Sequence, residues 1–177
     1  AEPDVGTSVE AVDVGSTTGL RFDVAFATTW TYVVWVRGWT LGGGSDSIHV
    51  GLDDRGATTA ANIYGFTPGG WSWSLLRGGG GIATLEVTSA GVHTVHVWMR
   101  EDGFALDRLL LTVDVGYAPS GKGPRPSPRV DDVAFSAEAD GVAQSASQDA
   151  QGQTALVAGP TDRPPVVVAG DGTGGET

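Results

Sequence analysis

Residues 30–39, Trp30-Thr31-Tyr32-Val33-Val34-Trp35-Val36-Arg37-Gly38-Trp39, decide the fold class. Read with a period of two, they place Trp30, Tyr32, Val34 and Val36 on one face and Thr31, Val33, Trp35, Arg37 and Trp39 on the other. β-Branched and aromatic residues dominate the run, which suits a strand with one face against a core. Residues 92–100 repeat the pattern, with His93, Val95, Val97 and Met99 on one side. Further strands are predicted at 9–14, 20–26, 47–52, 71–76, 83–87 and 106–113. Glycine-rich turns separate them, including Gly42-Gly43-Gly44, Pro68-Gly69-Gly70 and Gly78 to Gly81. Many short strands at near-regular spacing, with no run of apolar residues at helical spacing, predict an all-β antiparallel sandwich.

The chain has 177 residues, 28 Gly, no Cys, and 10 basic against 21 acidic residues. This length can bury a sizeable core. Without Cys there is no disulfide framework, no thiolate metal site and no Cys nucleophile. A net charge of −11 argues against nucleic acid or anionic lipid as a partner. No stretch approaches 18 consecutive apolar residues, so no membrane-spanning helix is expected. The chain begins at Ala1 rather than Met, as expected of a secreted or cell-surface protein after signal removal.

Composition divides the chain into a main sandwich, residues 1–117, a Pro-rich linker, residues 118–129, and an acidic tail, residues 130–177. The linker has four Pro and three basic residues. It reads as a solvated polyproline-like spacer, reaching roughly 37 Å at about 3.1 Å per residue. The tail carries eight acidic residues and one Arg, with strands predicted at 133–139 and 166–169. It has too few large apolar side chains for a core of its own, so it must pack on another surface.

Motifs of catalysis are missing: there is no Gly-x-Ser-x-Gly elbow, no P-loop and no dinucleotide fingerprint. His93 and His96 are three apart in a strand and point to opposite faces, so they cannot chelate one metal as a pair. His93 is expected as a hydrogen-bonded core residue, His49 and His96 at the surface, and Asp53-Asp54 in a solvated turn. The chain is therefore read as non-catalytic. Its six Trp need another explanation. In a sandwich only one face of each strand meets the core. Trp39, Trp71 and Trp98 are thus candidate platforms for sugar rings, whose C–H faces stack on aromatic planes. Alternatively, the tail or a neighbouring molecule covers them.

Residues 20–112 resemble a carbohydrate-binding module of the families 6 and 35 type, a galactose-binding-like jelly roll. The likeness rests on the run from Trp30 to Arg37, then Gly44-Ser45-Asp46-Ser47-Ile48-His49-Val50, Gly70-Trp71-Ser72-Trp73 and Ala90-Gly91-Val92-His93-Thr94-Val95. Met99-Arg100-Glu101-Asp102-Gly103 and the run from Leu106 to Thr112 complete it. The resemblance implies a structural Ca²⁺ shared by the last-strand acid, here Asp107, and an acidic opening strand. That opening pattern stands at Phe135-Ser136-Ala137-Glu138-Ala139-Asp140-Gly141, after the matching region, so the implied ligands are Asp107, Glu138 and Asp140. The cleft Asn of the family is replaced here by Ala105.

Two functions follow as expectations. With its opening segment at the C-terminus, residues 130–177 are expected to complete the same or a neighbouring sandwich; donated to a neighbour, they make the chain a secreted structural subunit that polymerises by strand exchange into a filament or surface array. The alternative is a polysaccharide-binding module using Trp39, Trp71 or Trp98.

Overall fold

The structure, a computed structural model, describes residues 19–127 and the backbone of two further strands at 154–156 and 166–169. The strands predicted at 9–14 and 133–139 lie outside the described residues, as do Glu138 and Asp140. In chain order the strands are β1 (Gly19–Phe26), β2 (Trp30–Trp39), β3 (Ile48–Leu52), β4 (Arg55–Gly56), β5 (Ile63–Tyr64) and β6 (Ser72–Ser74). Then come β7 (Leu76–Arg77), β8 (Thr84–Val87), β9 (Gly91–Met99), β10 (Ala105–Thr112), β11 (Thr154–Leu156) and β12 (Val166–Ala169).

They form two sheets. One runs β11-β1-β9-β3-β5-β7, with β4 paired to β3; the other runs β12-β10-β2-β6, with β8 paired to β2. All pairs are antiparallel except β1 with β11. The fold is thus the antiparallel β-sandwich that the period-two pattern demands. β11 and β12 extend one sheet each, on their own chain.

Alternation explains the core. Tyr32, Val34 and Val36 of β2 are fully buried with Leu109 and Leu111 of the adjoining β10, and the other sheet contributes Phe22, Val24 and Phe26 of β1 and Val95 and Val97 of β9 to the same core. Burying such a side chain contributes about 1.5–3 kcal/mol. The pattern overruns the sandwich at its ends: Trp30 is 58% exposed and Met99 38%, because both occupy terminal strand positions.

The outer faces differ from expectation in two places. His49 and His96, expected at the surface, are buried. Trp98 stacks on His96 with ring centroids 4.9 Å apart and planes 8° from parallel. The strand glycines make room for it: a Cβ at Gly51 would stand 2.5 Å from Trp98 Cζ3, and one at Gly19 2.8 Å from Trp98 Cδ1. The polar groups are satisfied locally. His96 Nε2 accepts from the Asp54 amide at 3.1 Å, and His49 Nδ1 accepts from the Asn62 amide at 3.1 Å. Burial pushes the His96 pKa down, although the Asp54 carboxylate pulls it the other way.

The Pro-rich segment is the second departure. Rather than a solvated spacer, its described residues dock on the five-stranded sheet. Gly121 O accepts from both Arg37 Nε and Trp73 Nε1 at 3.0 Å, and Pro124 O accepts from an Arg108 guanidinium N–H at 2.9 Å. The segment is a strap.

Candidate functional site

The strap, β2, β6 and β10 assemble one surface of aromatic and guanidinium groups. On β2, Arg37 alternates with core Val36 and so faces outward. Register places Trp73 of β6 and Arg108 of β10 on either side of Arg37. Asp107 would point away from Arg108 in a regular strand, but the pairing of β10 with β2 shifts register between Leu106 and Arg108. Such a bulge re-aims a side chain. The Asp107 carboxylate consequently bonds an Arg37 N–H and lies 3.5 Å from Arg108 Nε.

The expected platforms separate clearly. Trp71 is 48% exposed, and the Arg37 guanidinium lies over its ring, 5.2 Å from the centroid. Trp39 is half-buried at the end of β2, opposite Ala105. Trp98 is only 5% exposed and belongs to the other sheet, so it presents no open ring face. Trp71 and Trp39 therefore lie in the Arg37 region of the five-stranded sheet, without Trp98.

Of the implied Ca²⁺ ligands, only Asp107 is described. Two guanidinium groups attend its carboxylate. Among the described residues, no group of three or more His, Asp or Glu could hold a metal ion.

Two acidic clusters lie elsewhere. Asp53 and Asp54 occupy left-handed turn positions, φ +50° and +61°, and each meets a histidine of β9. Asp53 Oδ2 is 2.7 Å from His93 Nδ1, and Asp54 Oδ1 is 3.2 Å from His96 Nε2. The turn is exposed, as expected, but the Asp53 carboxylate is engaged by His93 and that of Asp54 lies 3.5 Å from Arg21 Nη2. His93 is hydrogen-bonded, as expected, and its Nε2 also lies 2.9 Å from Ser89 O. In the second cluster, Glu101 accepts from the Asp46 amide at 3.0 Å and the Ser47 hydroxyl at 2.7 Å. Burial raises the Glu101 pKa, but these bonds and the Arg100 charge outweigh it and hold the carboxyl below its ordinary value.

Arg37, Arg108 and the strap carbonyls were not singled out as site groups. Their available signal was an Arg at an outward position of an otherwise apolar strand.

Fold and surface define the class: an antiparallel β-sandwich domain with an exposed Trp set against a fixed guanidinium. Residues 4–126 match the family described as the glycosyl hydrolase family 115 C-terminal domain. The match covers more than half of the chain, which therefore belongs to that family. The chain is also 31% identical over 114 residues to "Uncharacterized protein P23" of Formosa agariphila, covering 59% of this chain and 27% of that relative. It thus spans about a quarter of the length of that curated protein. No solved structure matches it. Among the described residues, no helix is long and apolar enough to cross a membrane.

Proposed function

We propose that this domain is a non-catalytic polysaccharide-binding module of a secreted or cell-surface protein, with Trp71 as its stacking platform. The observation that carries the reading is the half-exposed Trp71 ring, held on one side by Arg37. An aromatic face in solvent suits the C–H face of a sugar, and nearby polar groups orient its hydroxyls. Membership of a family named for glycosyl hydrolases supports a carbohydrate ligand. It supports this reading better than strand exchange.

Affinity electrophoresis through plant, algal and microbial polysaccharides tests the proposal. At least one of them should retard the wild-type chain, and Trp71→Ala should remove the retardation while the domain stays folded, its stability lowered by no more than about 1 kcal/mol for the lost contact with Arg37. Unretarded migration of the wild type in every gel, or undiminished binding by the variant, rejects it.

A further inference from the structure

A second concavity lies away from Trp71, between the β3–β4 hairpin, the 3-10 turn Thr58–Ala60 and β8. It is a cleft of about 650 Å³. Half-buried Leu52 and Ala57 line its apolar part, while Asp53, Arg55, Thr58 and Glu86 supply exposed polar groups. Among the described residues, neither Arg55 nor Glu86 forms an ion pair. Asp53, by contrast, is fixed by His93 and by the Thr94 amide at 3.1 Å. One cleft therefore presents an uncommitted donor fork, an uncommitted carboxylate and a positioned carboxylate beside an apolar wall.

We propose that this cleft is a second, independent subsite for an uncharged saccharide unit. Each sugar hydroxyl both donates and accepts, so a pair of neighbouring hydroxyls uses the Arg55 N–H groups and the Glu86 and Asp53 oxygens together. The C–H face of the sugar then covers Leu52 and Ala57. Charge selects against acidic sugars: one guanidinium stands against two carboxylates, and the whole chain is at −11. Zwitterionic amino acids match the charges but leave the apolar wall uncovered.

The cleft is separate from the Trp71 surface. Glu86 is opposite Thr31 in β2 and Trp73 is opposite Arg37. These positions are six residues apart along the strand, about 20 Å at about 3.3 Å per residue. Exposed Trp30 starts β2 at the cleft's end of the sheet, opposite Val87, and offers a surface for a longer chain leaving the cleft. One domain would thus hold two glycan segments, which strengthens attachment to an extended polysaccharide by effective concentration.

An amide NMR titration of the full chain tests this. The probes are glucose, galactose, xylose and their neutral oligosaccharides, with galacturonate oligosaccharides, glycine and glutamate as controls. A neutral saccharide should shift the amides of residues 53–59 and 85–87. Arg55→Ala and Glu86→Ala should each weaken that binding about tenfold, as expected for one charge-assisted hydrogen bond. Trp71→Ala should leave these shifts intact, so failure of the Trp71 reading and failure of this one are told apart. Absence of shifts with every neutral probe, shifts with acidic or zwitterionic probes alone, or unaltered binding by both cleft variants overturns the proposal. Both substituted side chains are exposed, and melting curves confirm that the variants fold.

Discussion

The Arg37 guanidinium sits over the Trp71 ring, 5.2 Å from its centre, and is locked there from the other side. Asp107 accepts a hydrogen bond from one guanidinium N–H, and the strap carbonyl of Gly121 accepts one from Nε–H. An exposed ring is thereby placed by a group that is itself only 11% exposed. The β10 bulge and the strap meet at that guanidinium, so the placement of the exposed ring depends on parts of the chain remote in sequence.

Removing Arg37 should therefore cost stability as well as binding. Arg37→Ala leaves the Asp107 carboxylate, 24% exposed, with one guanidinium fewer. We expect a loss of about 2 kcal/mol, below that of a fully buried pair because Asp107 still meets water. Arg37→Lys should recover part of the charge interaction but not the planar stacking on Trp71. Urea unfolding of Arg37→Ala, Asp107→Asn and the double variant measures the coupling. Strict additivity of the two single effects would show that the pair is not coupled.

The strap makes its own prediction. Gly123 has φ +74°, and a Cβ there would stand 2.7 Å from Trp73 Cζ2. Gly123→Ala should lift the strap from Trp73, destabilising by about 1–2 kcal/mol through the strained φ and a weakened Gly121 hydrogen bond. Limited proteolysis should then cut residues 117–127 faster, with Trp fluorescence shifted to the red. A variant cleaved at the wild-type rate contradicts the docking.

These contacts also show what the residues alone reveal. Alternation in Trp30 to Trp39 was enough for the sandwich, because one-sided burial requires period two. The same logic misplaced Trp30: periodicity gives the face of a residue but not where the opposing sheet stops. The strap was illegible because it binds through main-chain oxygens of Gly121 and Pro124, which leave no side-chain signature. The exposure of Trp71 was legible only as one of three outer-face candidates, whereas burial of Trp98 depended on Gly19 and Gly51 in neighbouring strands. Glycine inside a strand often marks a close approach, and that was the missed clue. The cleft at Arg55 and Glu86 joins residues from separate hairpins and has no local motif.

Acid should weaken the fold through His96. Its folded pKa lies below the ordinary 6.5 because burial disfavours the charged ring, with Arg21 adding to the effect and Asp54, Asp53 and Asp23 opposing it. The unfolded chain therefore binds the proton more readily. Stability from the neutral ring is present above about pH 6.5 and is lost as pH falls toward the folded pKa. Denaturant midpoints should decline between pH 7.5 and pH 5, and His96→Gln, which keeps an acceptor for the Asp54 amide, should flatten that slope. An identical slope in the variant assigns the pH dependence to other groups.

The packing of Trp98 over glycine gives the severest expected single substitution. A Cβ at Gly51 would stand 2.1 Å from Arg55 O and 2.5 Å from Trp98 Cζ3. The first obstacle is backbone of the adjoining β4, and the second is a ring already stacked on His96. Neither yields without moving the hairpin that carries Asp53 and Asp54. Gly51→Ala should cost about 3 kcal/mol, in the upper range for overpacking, and should disturb the His96 and His93 imidazole signals in NMR spectra. Trp98→Ala in the same chain should relieve the ring clash but not the backbone one, so it should restore only part of the loss. Full stability of Gly51→Ala would mean that the Trp98 indole does not lie across this strand.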